Sequence, residues 1–184
     1  LDLLPQMEHI RLDQLNAPGH LFETGAMHFS TGGAVSNTGL ALHRLGINVG
    51  LMSNVGDDLI GEMIIAFLNR RDPQLSQWIK TKPDHPSSYT VVLSPEKVDR
   101  IFLHCTGTNT SFNSSDVDYD LIARSKIFHL GYPPLLASLA ANDGEDLARL
   151  FQKARATGVI TSLDLSLPDP DGAGPETVQI TNLV

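Results

Sequence analysis

Several things are scarce in this sequence, and each scarcity narrows what the protein can be. There is one cysteine in 184 residues, Cys105, so no internal disulfide can form. That usage fits a reducing compartment, and a cytoplasmic location is the expectation. Basic residues are outnumbered, 13 Lys and Arg against 21 Asp and Glu, giving a formal net charge of -8 with no Lys/Arg run. This argues against a nucleic-acid or anionic-membrane partner. No apolar run approaches the ~18 residues that span a bilayer, and no signal-peptide pattern is visible. The seven histidines are scattered, without H-x-x-x-H or carboxylate pairing at ligand spacing, so no metal site is expected from them. What remains is ordinary globular material, 41% hydrophobic and 18% charged, of a length that suits one domain with a sizeable core.

The chain is organised around Thr31–Gly46, TGGAVSNTGLALHRLG. Gly32 and Gly33 lack a Cβ, so they can take φ > 0 and let another molecule approach the backbone. Val35, Leu40, Ala41, Leu42 and Leu45 follow mostly at helical spacing, and Gly46 is placed to stop the helix. Asn37 sits near the helix start, where its amide can face whatever docks on the glycines. The same residues also suit a plain tight turn before a core helix, so the stretch alone does not decide between the two.

Before this turn, residues 8–29 are polar, with short extended pieces at Leu21–Glu23 and Ala26–Phe29. After it, Ile47–Val55 has the apolar character of a buried strand, Gly56-Asp57-Asp58 is a turn, and Asp58 can N-cap a helix running from about Leu59 to Arg70. That helix carries Leu59, Ile60, Met63, Ile64, Phe67 and Leu68 on one broad face. Repeated strand, turn and helix is the grammar of an α/β domain with a mostly parallel sheet, in which ligands bind at the carboxyl ends of the strands. Residues 74–112 break the pattern. Trp78–Lys80 is a short extended piece, and Ser88–Ser94 and Arg100–His104 are strand-like runs joined by a turn, with no helix between them. They form an antiparallel insert, either a lid over the site or an edge hairpin. Alternation then resumes with a short helix at Asp118–Arg124, a strand at Lys126–Leu130, a helix at Gly144–Thr157 ended by Gly158, and a strand at Val159–Leu165 that delivers Asp164.

These pieces together resemble the ribokinase-like carbohydrate kinases of the phosphofructokinase B type. The resemblance rests on Gly32, Gly33, Asn37 and Leu45-Gly46 in the first signature, and on Gly56, Asp58 and Gly61 in VGDDLIG. It rests also on the lid-like SYTVVLSP…DRIFLHCTGTN, on HLGY at His129–Tyr132, on SLDLSLPD, and on LDLLPQM at the tail of a first strand. It implies a three-layer α/β/α fold with a small antiparallel β lid at about residues 76–112. It also implies ATP-dependent phosphorylation of a sugar hydroxymethyl group with Mg²⁺, and a possible homodimer through the lid. The residues it assigns to the sugar are Asp2, Gly32, Gly33, Asn37, Gly131 and Asp164. Short fixed acceptors and donors suit a ring of hydroxyls, because a wrong ligand leaves such groups unpaired.

The family's late G-A-G-D motif, whose aspartate is the catalytic base, is not found here. Gly172-Ala173-Gly174 is followed by Pro175 and lies too close to Asp164. The N-x-x-E element is not found either. The expectation is therefore that residues 1–184 are the substrate-binding part of one ribokinase-like domain from a longer chain, with the nucleotide-binding part not recorded. The alternative is a noncatalytic sugar- or nucleoside-binding protein on the same fold.

Overall fold

A computed structural model describes residues 18, 19, 21, 25–94 and 99–165. Its contacts divide the chain into two compact units, one holding Tyr89–Cys105 with the residues before Thr31, the other holding Thr31–Ser88 and the residues from Thr106 onward.

The larger unit contains two βαβ crossovers. Strand β1 (Met52–Gly56) leads through helix α2 (Leu59–Asn69) and a 3₁₀ turn (Pro73–Ser76) to β2 (Trp78–Lys82), and β1 and β2 pair in parallel from Met52↔Trp78 to Gly56↔Lys82. Strand β5 (Ile127–Gly131) leads through α4 (Ala137–Ala156) to β6 (Ile160–Asp164), again in parallel, from Ile127↔Ile160 to Gly131↔Asp164. Parallel neighbours need a crossover of this length, and a helix supplies it. The smaller unit pairs β3 (Tyr89–Leu93) with β4 (Ile101–Cys105) antiparallel, from Tyr89↔Cys105 to Leu93↔Ile101. The expected mixture of parallel α/β pairs and one small antiparallel pair is thus present. Trp78–Lys82, grouped with the insert from sequence, is instead the parallel partner of β1.

The local signals explain the helix ends. Asp58 caps α2, its Oδ1 accepting from the Gly61 amide at 2.8 Å. Asp118 caps the short helix α3 (Tyr119–Ala123) by accepting from the Leu121 amide at 2.9 Å. The helix after the glycine turn ends as Gly46 predicts. With φ +80°, Gly46 donates to the His43 carbonyl at 2.9 Å, and Ile47 donates to the Leu42 carbonyl at 3.0 Å, which together make a Schellman motif. Helix α4 is broken near its start, where Asn142, Asp143 and Gly144 all have positive φ, so its regular part begins where the sequence places it.

The main core packs Leu147, Leu150, Phe151 and Ala154 of α4 against Phe128 and Leu130 of β5, with Phe112, Ile122 and Val159. The Phe128 and Phe151 rings meet at 5.8 Å between centroids. A second cluster joins Leu40, Leu51, Leu68 and Leu75. Burying each such leucine is worth about 1.5–3 kcal/mol.

Three expectations differ. Residues 47–51 are not part of a strand, because Ile47 is exposed and Leu51 packs into the second cluster instead of pairing. On α2, Leu59 and Met63 are exposed while Leu68 carries the burial. Ala26–Phe29 forms no strand. Among the described residues no helix is long and apolar enough to cross a membrane.

Candidate functional site

The glycine turn opens into an unusual helix start. Gly33 has φ +73°, Ala34 is helical, and Val35–Gly39 forms a π turn before the α-helix α1 (Leu40–Arg44). Wide turns of this kind are frequent at functional sites. Gly39 is where the turn touches the core, since a Cβ there would strike the Leu51 side chain. Asn37 is exposed in the middle of the turn, and no described atom lies within 4 Å of where a Cβ would stand on Gly32 or Gly33. The turn also carries no charge, since residues 31–42 contain no Lys, Arg, Asp or Glu. An open, uncharged backbone edge with one amide beside it is suited to hydroxyl groups.

The turn is docked on the carboxyl ends of β5 and β6. A Cβ on Gly131 would collide with the Cβ of Ala34, and it would lie 3.9 Å from the Cβ of Asp164. Gly131 and Asp164 are the last register pair of the two strands, and the Tyr132 amide continues the pairing by donating to the Asp164 carbonyl at 2.8 Å. Tyr132 has φ +60°, an outlier for a bulky residue. Gly131, Asp164 and the glycine turn therefore share one edge, at the strand ends where α/β sheets bind ligands. Asn37 lies on the turn that follows. Asp2 and Gly172–Gly174 lie outside the described residues. Ala34 and Tyr132 were not singled out from sequence. A glycine closing an apolar strand signals a close approach without saying what makes it, and no sequence pattern marks Tyr132.

A second group of residues surrounds the Gly56-Asp57-Asp58 turn. The Asp58 carboxylate accepts from the Ser87 amide at 2.7 Å and the Ser87 hydroxyl at 2.6 Å, besides capping α2. The Ser87 Oγ in turn accepts from the Gly56 amide at 2.8 Å. These donors, Ser87's hydroxyl first, hold the Asp58 carboxyl below its ordinary range. Asp57 is exposed, as a solvated turn residue should be. Nearby, burial raises the Asp116 carboxyl, but the Lys82 ammonium at 2.5 Å and the Asn113 amide outweigh it and hold it low. A shallow groove of ≈ 220 Å³ beside His43, Ile47 and Asp72 lies at the far end of α1 from the glycine turn.

Comparison with known proteins places the chain in a family. The chain matches the family described as pfkB family carbohydrate kinase over residues 4–184, and it belongs to that family. It is 26% identical over 167 residues to a probable chloroplastic fructokinase-6 of Arabidopsis thaliana, covering 87% of this chain and 42% of that protein. The fold resembles the crystal structure of a PfkB protein from Polaromonas sp. JS666, with a TM-score of 0.70 at 21% identity, over 91% of this chain and 56% of that one. It also resembles an uncharacterized sugar kinase from Pyrococcus horikoshii in complex with ATP, with a TM-score of 0.62 at 24% identity, over 81% of this chain and 46% of that one. The chain thus spans about half the length, or less, of the proteins it matches, and the fold is ribokinase-like.

Among the described residues no three His, Cys, Asp or Glu side chains are grouped so as to hold a metal ion. The glycine turn offers no cation to a triphosphate. The described site therefore does not fit Mg²⁺ or the phosphates of ATP.

Proposed function

We propose that this chain is the acceptor-binding part of an ATP-dependent carbohydrate kinase that phosphorylates a hydroxymethyl group of a small sugar. The observation that carries the reading is the docking of an open, uncharged glycine turn on the Gly131–Asp164 strand ends. In this reading Gly32 and Gly33 give the sugar ring bare backbone to lie against. Asn37 offers it a donor and an acceptor, and the Asp164 carboxylate accepts from a hydroxyl at the strand end. Asp2 would accept two further hydroxyls. The antiparallel Tyr89–Cys105 unit is the lid insert, which excludes water from the transferring phosphoryl group in such enzymes. ATP would supply that group, with Mg²⁺, on residues other than those described. A cytoplasmic homodimer completes the proposal.

The test is a coupled ADP-release assay on the whole protein over a panel holding a ketohexose, 2-keto-3-deoxygluconate, ribose and a nucleoside. Saturable release with one of them is expected. Calorimetric binding of a panel member without any turnover would favour a noncatalytic binding protein instead. Light scattering at working concentrations checks the dimer.

A further inference from the structure

We infer that Asp58 and Ser87 form a clamp that holds the two roots of the antiparallel hairpin, residues 85–88 and 106–109, against the end of β1, which makes Asp58 a positioning residue for these roots and not merely a helix cap. The chain crosses between the two compact units twice, at Ser88–Tyr89 and at Cys105–Thr106. Both crossings lie beside the same set of hydrogen bonds. On the outgoing side, Ser87 is fully buried and is held through its amide and its hydroxyl by the two oxygens of Asp58. On the returning side, the Thr108 amide donates to the Pro86 carbonyl at 2.9 Å, the Thr108 hydroxyl donates to the Asn54 carbonyl of β1 at 2.9 Å, and the Asn109 amide side chain donates to Ser88 Oγ at 3.0 Å. Thr108 is also fully buried.

Three glycines make the closeness possible. A Cβ on Gly56 would strike the His85 carbonyl and stand 2.6 Å from the Ser87 amide nitrogen. On Gly61 it would strike the Gly56 carbonyl, and on Gly107 it would strike the Pro86 carbonyl. The obstacles are mostly backbone, which cannot swing aside. The spacing of glycines around Asp58 is thus the imprint of segment 85–88 pressed against the β1–α2 turn. A cap alone would need only Asp58 and an amide. The second carboxylate oxygen and the Ser87 hydroxyl are used for the hairpin.

The substitution Asp58→Asn separates the two roles. Asparagine caps helices about as well as aspartate. Its single oxygen can still accept from Gly61, but its NH₂ then faces the Ser87 amide, donor against donor. Amide hydrogen exchange on the full chain is the direct test. Asp58→Asn is expected to speed exchange at the Ser87 and Thr108 amides by about tenfold or more, the effect of losing a charge-assisted bond, while α2 beyond its first turn changes little. Ser87→Ala should reproduce this with the cap intact, and it keeps the test open if Asp58→Asn does not fold. Equal change in α2 and in residues 85–108, or none in either, would overturn the clamp. The consequence for turnover rests on the kinase reading. Asp58→Asn in the whole protein should raise ATP consumed per sugar phosphate formed by several-fold, and an unchanged ratio would count against the positioning role. If the unaltered protein turns over no sugar, the kinase reading fails, and the exchange measurement still decides the clamp.

Discussion

Two glycine-bearing turns lie within thirty residues of each other, and their glycines are there for opposite reasons. Around Asp58, Gly56 and Gly61 are enclosed on all sides, and any Cβ would run into backbone of the same chain. At the other turn, Gly32 and Gly33 face open space among the described residues. The first turn is saturated with internal hydrogen bonds, three of them to one carboxylate, whereas the π turn at Val35–Gly39 has no side-chain cap. A crowded glycine is explained by its own protein. Gly33 is explained by its φ of +73°, and only Gly32, beside an exposed amide, has neither a crowded neighbour nor a positive φ among the described residues.

The largest effect that could break this contrast is at Gly61. Gly61→Ala forces a Cβ into the Gly56 carbonyl and should cost about 2–3 kcal/mol or more, read as a drop in the urea midpoint at unchanged m-value. A neutral result would mean that the Asp58 turn is as loose as the other. Gly131 is crowded in the same way, and Gly131→Ala should behave similarly by pushing Ala34, and with it the glycine turn, off the end of β5.

Next comes Asn37→Ala. An exposed amide with no packing role should leave stability within about 0.5 kcal/mol of the original. Sugar affinity, measured by calorimetry, should fall by about 1–3 kcal/mol if the amide binds the ring. A loss of stability with unchanged affinity would return Asn37 to a plain helix-start role.

These two turns also show what a sequence can and cannot reveal. Asp58 as a cap, Gly46 as a stop and the Leu147–Ala154 face are local patterns, written within a few residues, and the structure bears them out. Ser87 is 29 residues from Asp58, and nothing local marks a serine in SSYT as the buried partner of a distant carboxylate. Ile47–Leu51 misleads for a related reason. An apolar run reports that residues want cover, not whether a strand or a helix provides it, and Leu51 is covered by the helix cluster. The edge shared by the glycine turn and Gly131 was legible as separate motifs, but its assembly was not, because the collision that fixes it is between Ala34 and a glycine 97 positions away, Gly131.

Acid should also distinguish the regions. Asp58 and Asp116 have folded-state pKa values below their ordinary ones. Their contribution is therefore complete above the unfolded value of about 3.9 and is lost as pH falls through the lowered folded values. Stability should be flat from about pH 7 to 5 and decline below about 4. Asp116→Asn should lower the plateau and flatten the decline, measured by urea unfolding at each pH. A decline of equal steepness in that variant would remove Asp116 from the account.

The smallest expected effect is the most discriminating. Gly32 lacks the positive φ that makes Gly33 costly to replace, and among the described residues it has open space where a Cβ would go. Gly32→Ala removes backbone freedom from the unfolded chain without a clash, so it should raise stability by about 0.4–1 kcal/mol. Sugar affinity should move the other way, because the new methyl group occupies the surface on which the ring would lie. Opposite signs in the two measurements cannot come from a structural glycine, whose loss would lower both. A gain in stability with unchanged affinity would show that nothing approaches this turn, and the contrast with Gly56 and Gly61 would then reflect only how crowded each turn is.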